Sequence, residues 1–128
     1  MPALEPVRAW RVVATPAALD AARWQGDVVV VLRLAPDEAL AVGAVGVEVD
    51  DPDAIAQPEA GITLAHLSAR ELEDVIGHIE WALSDPGDGR TLAQGKIAGV
   101  PAKLVLGEPT LLVVQTCYVA ELRARLGW

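Results

Sequence analysis

The sequence predicts an α+β domain: a mostly antiparallel sheet with two amphipathic helices, 68–83 and 117–126, packed on one face and a short N-terminal helix at 16–24. Three observations lead there. Short apolar runs suited to strands recur between Gly, Pro and Asp clusters. Two stretches switch to helical spacing of their apolar residues. The connections are short and rich in turn residues, as hairpins require.

Residues 1–6 carry two prolines and read as a poorly ordered lead-in, followed by a first strand at 8–13. Thr15-Pro16 is an N-cap followed by proline at the first helical position, and the helix it starts must stop before Gly26. The run DVVVVLRL at 27–34 is nearly all apolar, which predicts a central strand buried on both faces. Ala35-Pro36-Asp37-Glu38 turns the chain back into a partner strand at 39–42. Residues 45–50 alternate valine with Gly46, Glu48 and Asp50, the pattern of a half-exposed strand at an edge. Two prolines and three acids mark 51–61 as loop, and 62–67 as a further short strand.

The helix at 68–83 has the strongest local signals. Ser68 and Glu71 form a capping box, with Leu67 and Leu72 placed to close a hydrophobic staple. Leu72, Val75, Ile76, Ile79 and Leu83 make one apolar stripe. Gly77 lies off the stripe, costs a helix interior about 1 kcal/mol relative to alanine, and marks a bend or a close neighbour. Trp81 falls opposite the stripe: exposed, or in contact with another element or chain, unless the helix bends at Gly77 and turns it inward. Trp81, Glu80 and Gly77 are the residues selected as a candidate interface.

After a Gly/Pro/Asp loop at 84–90, the last third reads as two or three strands closed by a helix. Leu104 and Leu106 alternate with Lys103, Val105 and Gly107; Gly107-Glu108-Pro109 turns; 110–115 is a short aliphatic strand. Val119, Leu122 and Leu126 then take helical spacing, with Thr116 as N-cap and Gly127 as C-terminal cap.

The totals fit one domain over 1–128. Apolar residues make up 52% of the chain with no Phe and one Tyr, so small aliphatic side chains build a thin core and some apolar surface is expected to meet a protein partner or a second copy. A net charge of −8 argues against nucleic acid and anionic membranes, both of which select Lys and Arg. A single cysteine excludes an internal disulfide. Without a charged-then-apolar leader pattern, the expectation is a cytoplasmic protein.

No catalytic residue, metal or cofactor is assigned. His66 and His78 lack HExxH or any other ligand spacing. Cys117, near a helix N-terminus, reads first as a small buried thiol and second as a reactive one. Asp50, Asp51, Asp53, Asp85 and Asp88 do not follow a calcium-loop pattern. Gly95-Lys96 lacks the spacing and the Ser or Thr of a phosphate-binding loop.

From Ile62 onward the phrases ITLAHLS, SARELEDVIGHIEWAL, LAQGKIAGVPAKLVL, TLLVVQ and YVAELRARL, with the earlier LRLAPDEALAVG, resemble the sarcosine oxidase gamma-subunit family of the aminomethyltransferase (glycine cleavage T-protein)-like fold group. That resemblance implies an accessory subunit of a larger flavoenzyme with no catalytic residues of its own. The leading expectation is accordingly a non-catalytic accessory or interaction module, a small subunit or homodimer. A domain for a folate-like or other one-carbon small ligand comes second, with GKIAGVP and the 33–38 turn as the places for a pocket. An enzyme using a histidine as acid–base comes third.

Overall fold

The computed structural model describes residues 2–79 and 91–128. The chain forms two compact units, one spanning Val7–Ala60 and the other combining Met1–Pro6 with Gly61–Trp128. Among the described residues seven strands carry most of the structure: β1 (Glu5–Val13), β2 (Arg23–Ala35), β3 (Glu38–Glu48), β4 (Ile55–Leu67), β5 (Thr91–Ile97), β6 (Val100–Leu106) and β7 (Thr110–Gln115). Among the described residues three short helices complete it: α1 (Pro16–Asp20), α2 (Ala69–Ile76) and α3 (Val119–Leu126). The hydrogen-bonded order is β2-β3-β1-β4 through the first unit, and β4, whose second half belongs to the other unit, continues there as β4-β7-β6-β5.

This is a predominantly β architecture, which corrects the α+β arrangement with two packed amphipathic helices. Strands reach 13 residues while the helices have 5, 8 and 8. The helical periodicities in the sequence are real, but each is cut short. After α1, Arg23 and Trp24 leave the expected helix 16–24 and pair with Glu48 and Val47 as the start of β2. The helix expected over 68–83 ends at Ile76, capped by Gly77. Ile79 then forms an isolated antiparallel bridge with Ile97, so its apolar side chain serves a strand end rather than a helix stripe. Residues 80–83 lie outside the described residues. The last helix starts at Val119, after a single 3-10 turn at Thr116–Tyr118.

In the first unit, β3 joins two stretches that the sequence separates. Gly43 makes the join: its φ is +92°, and a Cβ there would stand 2.3 Å from the carbonyl oxygen of Asp27. Beside it the β2–β3 register shifts between Gly26 and Val30, a bulge. β3 pairs antiparallel with β2 on one side and β1 on the other, so Leu40 faces both Leu32 and Arg11. Ala39, Leu40, Ala41 and Val42 are all buried, which makes β3 the strand covered on both faces. The sequence assigned that place to 27–34. β2 instead ends the strand order, and 45–50, read as an edge, begins as part of the inner strand. Alanine and glycine lower the apparent hydrophobicity of β3, while four consecutive valines in β2 conceal any period.

The expected loop at 51–61 is also shorter, because β4 begins at Ile55. The turn before it is closed by Asp51, whose carboxylate accepts the backbone N–H of Thr15 at 3.0 Å and of Asp53 at 2.9 Å. Thr15 caps α1 as expected, its hydroxyl accepting from Ala18 N–H. Ala18 and Leu19 close over Val12 and Ala39, with Trp24 and Val47 at the margin.

In the second unit, β5 and β6 form a hairpin whose turn residues, Ala98 and Gly99, both have positive φ, 50° and 81°. That is the turn conformation whose twist suits a two-residue hairpin. The Gly107-Glu108-Pro109 turn, with a cis peptide before Pro109, carries the chain into β7. Ala65, Leu67, Leu104, Leu106, Leu112 and Val114 build the core, to which α2 adds Val75 and α3 adds Leu122. Leu4 packs at its margin. Ser68 and Glu71 form the expected capping box, and Gly127 the expected left-handed cap. Thr116 does not cap α3; its hydroxyl meets that of the buried Thr63 at 2.8 Å.

Two predictions follow from these local geometries. Gly43→Ala should lose more than about 2 kcal/mol in denaturant unfolding, because the new Cβ meets backbone and φ is positive. Gly77→Ala should gain about 0.4–1 kcal/mol in the same assay, since Gly77 has φ −63° and nothing nearer than 3.7 Å to an added Cβ. The capping box gives a third. The Ser68 backbone N–H, helped by its hydroxyl, holds the Glu71 carboxyl below its ordinary pKa of 4.5. A lowered carboxylate stabilises the fold above the unfolded value and loses that contribution as pH falls through the folded one. Ser68→Ala should therefore cost about 1 kcal/mol at pH 7. The gap between wild type and Glu71→Ala, which removes the carboxylate that the Ser68 N–H holds, should narrow in urea titrations as pH drops below 4.5.

Candidate interaction surface

The outer edge of β2 is the feature that the first unit leaves open. Along 27–33 exposure alternates: Asp27, Val29, Val31 and Arg33 are exposed, Val28 and Val30 are half-buried, and Leu32 is buried. Val31 and Arg33 share one face of the paired stretch, and Asp27 and Val29 carry the same alternation of exposure on through the bulge. Val29 is 45% and Val31 40% exposed, high for valines in neighbouring positions of one strand face.

The register explains why they are uncovered. Val31 lies opposite Ala41, which lies opposite Trp10; Arg33 lies opposite Ala39, which lies opposite Val12. The second of these rows is roofed by α1, and Arg33 reaches across to the Asp20 carboxylate at the end of that helix. Five helical residues span only about 7.5 Å. The roof therefore stops at the Arg33 row, and Val31 and Val29 extend beyond it. Arg33 also donates to the carbonyl of Pro36 at 3.0 Å, which fixes its guanidinium at the turn end of the face.

Trp81 and Glu80 lie outside the described residues. Gly77 caps α2 and has no close neighbour, so it marks the end of that helix. His66 is exposed on β4 opposite Leu111, and His78 is exposed in the turn after α2. The two are on different elements, and the main-chain carbonyl of His78 accepts from Ala98 N–H at 2.9 Å. Cys117 is exposed on the 3-10 turn, with its sulfur 3.8 Å from the Gln115 side-chain oxygen, rather than buried. Among the described residues no group of three or more His, Cys, Asp or Glu side chains converges on one point.

Both turns named as pocket sites are closed by internal bonds. Gly95 and Lys96 sit within β5, opposite Ala102 and Pro101. The Ala98-Gly99 tip is held by Arg125, which donates to the Ala98 carbonyl and pairs with Glu121 one helical turn earlier. A Cβ at Gly99 would fall 2.5 Å from that guanidinium. At the other turn, Asp37 gives its carbonyl to Ala14 N–H, and Arg11 forms an ion pair with Glu38. The Glu38 hydrogen bond raises the Arg11 pKa, with a smaller contribution from Glu59. These are structural clamps.

Sequence reading missed the β2 edge because it read the valine run as two-sided. The available signal was the parity of the charges: Asp27 and Arg33 fall on the same alternation as Val29 and Val31. Among the described residues no helix is long and apolar enough to cross a membrane. No protein-family model and no curated protein matches the chain.

Proposed function

We propose that the protein is a non-catalytic interaction module whose contact surface is the outer edge of β2. One observation carries the reading: a terminal strand with exposed valines at alternate positions and charged residues at both ends of the row. A strand edge offers a row of main-chain donors and acceptors, and adding a strand to it is a general mode of protein recognition. The exposed side chains then choose the partner, apolar at the middle and charged at the ends. An accessory subunit, as the sequence resemblance implies, is the form of this reading in which the partner is a different and larger chain.

The test is a single charge placed in the row. Val31→Lys should leave unfolding stability within about 0.5 kcal/mol of wild type, since the site is exposed. It should also abolish the association seen for wild type by light scattering, with itself or with a chain that co-purifies from the native source. Wild type that remains monomeric and alone in both preparations, or association that Val31→Lys leaves intact, would overturn the assignment.

A further inference from the structure

The edge of β2 is complementary to itself, and we infer that its occupant is a second copy of this chain, paired antiparallel across a two-fold axis through Val30. This rests on the interaction-module reading and names its partner. The exposed face reads Asp27, Val29, Val31, Arg33 at successive alternate positions. Turned end for end, the row becomes Arg, Val, Val, Asp, so each acid meets a base and each valine meets a valine.

The register is restricted by geometry. Two identical edges joined by a two-fold axis normal to the sheet keep each face on its own side, so residue i must lie opposite a residue of the same parity. The axis therefore passes through a residue and not between two. Through Val30, Asp27 faces Arg33 of the second copy, Val29 faces Val31, and Leu32 faces Val28. One residue toward the N-terminus, Asp27 faces Val31 and Arg33 faces Gln25; one residue toward the C-terminus, Arg33 faces Val29 and Asp27 faces Ala35. Only the first of these three registers matches both charges.

Directly opposed unlike charges and β-branched pairs are the favourable cross-strand combinations, and like charges the unfavourable ones. The pairing occurs twice by symmetry. It also continues an existing row: Trp10, Ala41 and Val31 already align across β1, β3 and β2, and Val29 of the second copy would be next. Arg33 is held at that face by Asp20 and the Pro36 carbonyl, and the five N–H groups of a guanidinium are not exhausted by two acceptors. The other terminal strand, β5, lacks this property. It carries Lys96 and no acid, and Ile79 bridges its end at Ile97. Pairing through β2 uses the same edge on both copies, so the assembly closes at two.

A charge-swap experiment on the full chain at 0.15 M salt tests this, that salt screening the repulsion between two chains of net charge −8. Sedimentation equilibrium should show a reversible dimer for wild type. Asp27→Arg alone and Arg33→Asp alone each place like charges opposite one another twice, and each should weaken the dimer about tenfold or more. Mixed in equal amounts, the two variants should recover wild-type affinity as a heterodimer, because the arginine at position 27 of one then meets the aspartate at position 33 of the other. Recovery cannot come from a folding defect, since mixing repairs no internal loss such as that of the Arg33–Asp20 pair. Hydrogen exchange should show the outward β2 amides, those not bonded to β3, protected in wild type and unprotected in either variant alone. A wild-type dimer unaffected by either variant, or single variants that fail to recover on mixing, would overturn the pairing. A monomeric wild type that binds a different native chain, with binding lost in Val31→Lys, would overturn the second copy as occupant while the interaction-module reading stands.

Discussion

Main-chain hydrogen bonding inside an aliphatic core is the constraint from which this structure follows. The buried strand β3 is built from Ala39, Leu40, Ala41, Val42 and Ala44, side chains that bring almost no polar atoms with them. Its peptide groups are equally removed from water, and an unpaired N–H or C=O there would cost as much as a lost hydrogen bond. They are satisfied by β2 on one side and β1 on the other. The small side chains allow neighbouring strands to meet at the bulge, where the Asp27 carbonyl occupies the space that a Cβ on Gly43 would need. The same requirement organises the second unit, where β7 contributes five buried residues, Thr110 to Val114, and pairs with β4 and β6.

The helices are secondary to that ladder. Each of the two eight-residue helices adds one fully buried side chain, Val75 or Leu122, to a core that strands have already assembled. Their ends are set by strands as much as by their own caps. Ile79 leaves the helical stripe to bridge Ile97, and Arg125 spends its guanidinium on the Ala98 carbonyl at a hairpin tip. The buried polar side chains have the same character: Thr63 satisfies Thr116, and Thr110 donates to the Gly107 carbonyl. Each is consumed in holding a turn or a strand end. The rule that makes the interior stable also makes the terminal strand of the first unit informative, because a ladder that every inner strand completes must stop at an edge.

Local signals in the sequence determined the caps and turns. Thr15 and Ser68 start helices, Glu71 completes its box, Gly127 ends the chain's last helix, and the Pro36-Asp37 turn joins two antiparallel strands. These succeed because a cap or a tight turn is decided by residues within about four positions of one another.

Tertiary structure alone decided which strand lies inside and which at the edge, where each helix stops, and what remains exposed. The run at 27–34 carries the larger aliphatic side chains, four consecutive valines and two leucines against the alanine-rich 39–44, yet it is the outer of the two, because strand order depends on pairing partners far away in the chain. Hydrophobicity measures how much a segment gains from burial; it does not say how many neighbours the fold will supply. The row from Asp27 to Arg33 acquires meaning only once five residues of α1 roof one end of it and leave Val29 and Val31 uncovered.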